Sequence, residues 1–316
     1  MKNVPAIHIL ITSTGATGAQ NVIKALRRQQ QFPVRIIGAD ADPMNAGRFL
    51  VDAFHVIPSG SDPDYVPALL TLCKTEHIHI FIPIMEKELE KISGSLEAFR
   101  PYFPVVSAPD TILNCNDKRK TASILDASIT PSPRMFNTGE ELRYPVIIKP
   151  ASGTGSTNIT VCRTEAEYKA AGVKPDYLVQ EFIEGKEYTV DAYTSFYSDF
   201  SECVPRIRLA VKGGLAVKTC TVEHPRLIET SKKIIQALHI KGPSNLQFIE
   251  KSNGELYFIE INPRFGGAYI ASIQAGLNAP LFILNDFTHT PIAYTGYSRN
   301  LLMMRYWEEV YEQHLV

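Results

Sequence analysis

The chain of 316 residues is 45% hydrophobic and 21% charged, a balance that supports two or three globular domains with their own apolar cores. A formal net charge of -1 gives no sign of a nucleic-acid or anionic-membrane partner, so any basic site must be local. Five scattered cysteines (Cys73, Cys115, Cys162, Cys203, Cys220) without a Cys-x-x-Cys pair argue against a disulfide framework and against a zinc site.

The apolar run 4–11, broken by Pro5 and His8, is short for a signal-peptide core and reads as part of a first strand, 6–12. A helix over 19–30 follows, with Val22, Ile23 and Leu26 on one face, then a strand over 34–39 ending at Asp40. A helix containing 69–74, a strand over 79–84, a helix over 86–99 and a last strand over 103–107 continue the alternation. Strands alternating with helices predict an α/β unit with a parallel, doubly wound sheet.

The pattern changes from Pro109. Short helices are expected over 110–114 and 117–127, with Thr130-Pro131-Ser132-Pro133 as a rigid connector. Strands follow over 145–150, 158–162, 177–182, 187–194, 206–211 and 216–221, then a helix over 225–238 and a hairpin of 245–250 and 256–262. Clustered strands with few helices between them predict an α+β region. The apolar stretch 268–284 is interrupted by Gln274, Asn278 and Pro280, so no membrane span is expected and a cytoplasmic protein is.

The hairpin carries the first chemical signal. Period-two alternation puts Glu260, Asn262 and Arg264 on one face, with Gln247 on the facing strand. Oxygen donors hold hard cations and a guanidinium grips phosphate, so the set suits a Mg²⁺–polyphosphate site; a plain polar outer face is the competing explanation. Lys149 ends a buried-looking strand and is followed by a loop of small residues, Ser152, Gly153, Thr154, Gly155 and Ser156. Small residues let backbone amides approach phosphate oxygens, hydroxyls add donors and the lysine adds charge. The strand 177–182 runs through Gln180, Glu181, Phe182 and Ile183 toward Glu187, a pattern that can offer backbone groups to a heteroaromatic ring and a carboxylate to a ribose. Arg206 and Arg208, two apart, point the same way and suit a transferring phosphoryl group or an anionic substrate; a basic sheet edge is the alternative.

Two N-terminal features remain open. The turn from Gly15 to Gly18, between a strand and a helix, suits an anion and with Asp40 leaves an NAD(P) site open, although the full dinucleotide fingerprint is missing. Glu86 and Glu88, at a strand's C-terminal end, are candidates for a substrate amine or simply favour a helix N-terminus.

Taken in order, these groups resemble the ATP-grasp superfamily, in the style of the carbamoyl-phosphate-synthase large-chain-like and pyrrolysine-biosynthesis-like ligases. The resemblance implies a Rossmann-like pre-grasp domain (1–108), a small lobe with linker helices (109–184) and a large lobe with a C-terminal segment (185–316). It implies that Lys118 and Lys149 contact phosphates beneath the 152–156 loop, with the hinge 181–183 on adenine and Glu187 on ribose. It also implies that Gln247, Glu260 and Asn262 bind Mg²⁺, with Mn²⁺ as an acceptable substitute, and that Arg264 stabilises the transferred phosphoryl group. Gly266 and Gly267 would leave room for the acceptor, and the Gly15–Gly18 turn would hold part of the substrate.

The expected reaction is ATP-dependent carboxylate–amine ligation through an acyl phosphate, on small molecules, with a homodimer left open. The length matches one grasp unit rather than two, and little chain after 303–307 is left for a domain that recognises the acceptor. An NAD(P)-binding oxidoreductase or sensor and a non-catalytic nucleotide-binding partner are the alternatives.

Overall fold

The computed structural model describes residues 5–125, 129–137, 139–151 and 159–313. Strands β1 (Ile7–Thr12), β2 (Val34–Asp40), β3 (Ala53–Val56) and β4 (Ile80–Ile82) form a parallel sheet in the order β3-β2-β1-β4. The centre of β1, Ile9, Leu10 and Ile11, is wholly apolar because both of its faces are covered. Ile9 and Ile11 pack with Val22, Ile23 and Leu26 of α1 (Thr17–Arg28). On the other face Leu10 and Ile37 meet α2 (Tyr65–Thr75) and α3 (Glu86–Ser93) through Leu69, Leu72, Leu89 and Ile92.

Two expectations fail in this region. The helix expected over 86–99 breaks at Gly94 into α3 and a single turn, α4 (Leu96–Phe99). The strand expected over 103–107 is reduced to one parallel bridge between Phe81 and Pro104. Phe103 there has φ of 37° and Pro104 has no N–H to donate, so a regular ladder cannot run through them.

Helices α5 (Pro109–Asn116) and α6 (Lys118–Ile124) lead to a small antiparallel sheet. It contains β5 (Met135–Phe136), β6 (Val146–Pro150), β7 (Thr160–Cys162) and β8 (Tyr177–Glu181) in the order β5-β8-β6-β7, with α7 (Glu165–Ala171) between β7 and β8. The large sheet follows: β9 (Lys186–Thr194), β10 (Ser201–Lys212), β11 (Leu215–Thr221), β12 (Gly242–Glu250), β13 (Leu256–Asn262) and β14 (Leu302–Met304), in the order β13-β12-β9-β10-β11-β14. Helix α8 (Pro225–Ala237) covers one face, where Leu227, Ile234 and Ile235 share a core with Tyr188, Val190, Leu246 and Phe248.

Because side chains alternate, the residues between those on β9 and β12 face the other way: Thr189, Asp191, Asn245 and Gln247. That polar face forms the floor of the site. Helices α9 (Ile270–Ala275) and α10 (Ala279–Thr288) pack with α1 in the first core, where Phe265, Tyr269 and Phe282 join Ile9 and Ile11. This shared core seats the start of α1, at Thr17 and Gly18, against residues 265–267. Helices α7, α9 and α10 and strands β3, β5 and β14 were not among the expected elements. No helix among the described residues is long and apolar enough to cross a membrane.

Candidate active site

The hairpin register pairs Gln247 with Glu260 and Asn245 with Asn262, and β9 sets Thr189 and Asp191 beside Gln247 and Asn245. Glu260 is the hub. Its Oε1 accepts from Gln247 Nε2 at 2.8 Å and from Asn262 Nδ2 at 3.5 Å, and its Oε2 lies 3.3 Å from Lys118 Nζ. Glu260 and Asn262 reach this face by strand alternation, as expected. Arg264 does not: β13 ends at Asn262, and the Arg264 N–H turns back onto the Asn262 carbonyl at 2.8 Å. A different contact holds its guanidinium, which donates to the Glu86 carboxylate and reaches Asn262 Oδ1 at 3.5 Å.

Glu86 therefore joins the site through Arg264. Glu88, the other carboxylate considered for a substrate amine, serves the fold instead. It is buried and accepts from Thr12 Oγ1, Ser13 Oγ and the amides of Ile84 and Met85, between 2.8 and 3.1 Å.

Between the small and large sheets lies a cleft of about 340 Å³. Lys149, at the end of β6, lines it and is only 6% exposed. Burial first, and the neighbouring Lys118 charge second, push its ammonium down to about 8, while Glu260 opposes the shift. No ion pair to Lys149 is present among the described residues. On the neighbouring strand β8, Gln180 is buried and its Oε1 has no hydrogen-bond partner among the described residues.

The hinge differs in detail from expectation. The Glu181 and Phe182 amides donate to the carbonyls of Arg134 (2.8 Å) and Pro145 (3.2 Å), so of positions 181–183 only the Ile183 amide has no partner among the described residues. Glu187 lines the same cleft and sits 3.4 Å from Arg208. Ser152, Gly153, Thr154, Gly155 and Ser156 lie outside the described residues.

A second pocket, about 270 Å³, shares Arg208, Gln247 and Glu260 with the first. Arg206, Arg264 and the start of α1 at Thr17 and Gly18 also line it. Gly266 and Gly267 form one wall at close quarters: a Cβ on Gly266 would stand 2.9 Å from Asn245 Nδ2, and one on Gly267 2.5 Å from Leu215 Cδ1. Gly18 packs toward Ile84 and the Phe265 carbonyl, so the turn faces this pocket. Gly15 does not line it. Its N–H donates to Oδ2 of Asp40 at 2.8 Å, which occupies the carboxylate considered for an NAD(P) site.

Sequence reasoning missed Asp191. It is fully buried on β9 and accepts from Arg206 Nε (2.9 Å) and Nη2 (3.3 Å), from Asn245 Nδ2 and from Ser272 Oγ (2.6 Å). Its available signal was a lone aspartate among apolar strand residues, in phase with Thr189.

Comparison with known proteins gives this geometry a family. Residues 115–268 match the ATP-grasp domain, and residues 9–102 match the PylC-like N-terminal domain. The D-alanine–D-alanine ligase of Fusobacterium nucleatum is 28% identical over 159 residues, covering 46% of this chain and 55% of that protein. The carbamoyl phosphate synthase large chain of Clostridium botulinum is 30% identical over 143 residues, covering 40% of this chain and 13% of that protein. The match thus spans about half the length of the first relative and a small part of the second. Among solved structures, the biotin carboxylase domain of Hydrogenobacter thermophilus 2-oxoglutarate carboxylase, in complex with MgADP and bicarbonate, shares the fold at a TM-score of 0.74. That likeness covers 94% of this chain and 73% of the other at 16% identity. The chain belongs to the ATP-grasp superfamily, with a PylC-like N-terminal domain preceding its ATP-grasp domain.

Proposed function

We propose that the protein is a Mg·ATP-dependent, ADP-forming ligase that activates a small-molecule carboxylate as an acyl phosphate and joins it to an amine or similar nucleophile. One observation carries the reading: two pockets meet at Arg208, Gln247 and Glu260, one suited to a nucleotide and the other lined by arginines. The donor groups fit the first ligand. Lys149 is a buried ammonium without an ion pair among the described residues, and a polyphosphate would supply the missing charge. The unpartnered Gln180 Oε1 suits an exocyclic amine of adenine, and Glu187 suits a ribose hydroxyl. Similarity to a D-alanine–D-alanine ligase supports the same class.

Glu260 with the side-chain oxygens of Gln247 and Asn262 would hold Mg²⁺, an ion usually bound by one or two carboxylates together with substrate phosphates. When bound, the ion neutralises charge on the phosphate oxygens. Lys118, now on Glu260, and Lys149 orient the phosphates, and Arg264, held by Glu86, faces the transferred group. A substrate carboxylate oxygen attacks the γ-phosphorus, the bond to the β–γ bridging oxygen breaks, and ADP leaves with that electron pair. The amine then attacks the acyl carbon, inorganic phosphate departs, and the nitrogen loses a proton. In this reading the residues bind and position the reactants, and the reaction needs no covalent protein intermediate.

The test is ADP release with Mg·ATP across a panel of amino acids and small acids, with and without amine acceptors. Acid-dependent release, raised by an amine and accompanied by an amide product, supports the ligase. Tight Mg·ATP binding with no release from any acid favours a non-catalytic nucleotide-binding role.

A further inference from the structure

Three guanidiniums line or border the second pocket with a carboxylate at hand: Arg206 on Asp191, Arg208 near Glu187 and Arg264 on Glu86. A fourth stands beside them without one. Arg305 follows β14, and its N–H donates to the Val217 carbonyl at 3.0 Å, next to the Leu215 and Ala216 wall of the pocket. Its Nη2 donates to the carbonyl of Gly267, itself a wall residue. Its Nε is buried with no hydrogen-bond partner, and no carboxylate pairs with Arg305 among the described residues. Burial, and then the like charge of Arg206, pull its pKa below the ordinary arginine value. A guanidinium does not shed its proton to escape such a site, so an anion must offset it.

The chain around Arg305 is anchored at both ends. β14 pairs antiparallel with β11, Trp307 lies over Lys212 with 5.9 Å between ammonium and ring centroid, and Glu312 reaches Arg48 of the N-terminal unit at 3.1 Å. The last described stretch thus crosses from the large sheet to the N-terminal unit and carries Arg305 to the Gly267 wall.

We propose that the acid activated by this protein carries a second anionic group, a carboxylate or a phosphate monoester, which Arg305 binds at the Gly267 wall of the second pocket while the reacting carboxylate lies toward Glu260 and Arg264. This inference rests on the ligase reading and adds its substrate class. The unpartnered Nε–H, on the same edge of the guanidinium as Nη2, can give such a group a charge-assisted hydrogen bond.

The test compares acids that differ only at the far end: glutamate with glutamine, aspartate with asparagine, and O-phosphoserine with serine. ADP release with Mg·ATP gives kcat/KM for each member, in the wild type and in Arg305→Gln, which keeps a donor for the Gly267 carbonyl but removes the charge. A charge-assisted contact corresponds to a preference of about ten- to a hundredfold. The anionic member of at least one pair should show it, and Arg305→Gln should bring the ratio close to one, mainly through KM. The phosphoserine arm separates a phosphate from a carboxylate as the group bound. Equal use of both members in every pair, or a preference that survives Arg305→Gln, overturns the inference and leaves the ligase reading standing. No ADP release from any acid, or no Mg·ATP binding by calorimetry, overturns the ligase reading and this inference with it.

Discussion

Arg206 reaches diagonally from β10 to Asp191 on β9, with Nε 2.9 Å from Oδ2 and both side chains nearly inaccessible. The strand register pairs Arg206 with Thr189 and Val204 with Asp191, so the contact runs between positions two residues offset. Asn245 and Ser272 fill the remaining acceptor sites of Asp191. The carboxylate thereby fixes an arginine of the second pocket from beneath.

Asp191→Ala should destabilise the protein by about 3–5 kcal/mol, because it strands a buried guanidinium. Urea unfolding measures this. A loss below about 1 kcal/mol, the range of exposed pairs, would mean that water reaches Arg206 and that the pair does not hold it in place.

Lys149 connects stability to ligand binding. Its pKa falls from 10.5 unfolded to about 8 folded, a difference on the order of 3 kcal/mol. Between those values the unfolded chain binds the extra proton, so this group opposes folding most below about pH 8 and less as pH rises through the window. Lys149→Met should therefore stabilise the ligand-free protein at pH 7 while weakening ATP binding. Its stability advantage should shrink between pH 8 and 10. Unfolding of both proteins at several pH values decides this, and an advantage that grows with pH would contradict it.

The same lysine makes a calorimetric signature. Bound phosphates favour the charged ammonium, so Mg·ATP binding at pH 9 should take up protons. Titrations in buffers of different ionisation heat read the number directly. Zero uptake would remove Lys149 from the phosphate site.

Gly185 sits between β8 and β9, where a Cβ would stand 2.3 Å from the Glu250 carbonyl oxygen. Because that neighbour is backbone, Gly185→Ala must shift the hinge, costing about 1–3 kcal/mol and raising the KM for ATP. Gly94 is the control. Its nearest neighbour would be 3.5 Å away, so Gly94→Ala should leave both quantities near wild type.

What the sequence made legible follows from periodicity. Glu260 and Asn262 could be placed on one face because strand alternation is local, and Gln247 followed from the hairpin register. The parallel sheet was legible for the same reason, in β1, β2 and β4. Contacts between distant segments were not. Arg264 meets Glu86 across 178 positions, and Arg305 meets Gly267 through an edge strand of three residues, too short to show a period. Glu88 could not be decided because an acid in a first helical turn looks the same whether it faces a ligand or caps buried amides, and the helix-terminus alternative is the one found. Asp191 was hidden by its partners, which come from three other elements.

Mg·ATP binding by titration calorimetry, to the wild type and to the double variant Glu260→Ala with Asn262→Ala, tests most directly whether Glu260 and Asn262 hold the nucleotide's metal. Mg²⁺-dependent binding to the wild type and its loss in the double variant are expected, with the fold retained by circular dichroism. Undiminished, Mg²⁺-dependent affinity in the double variant would contradict that role.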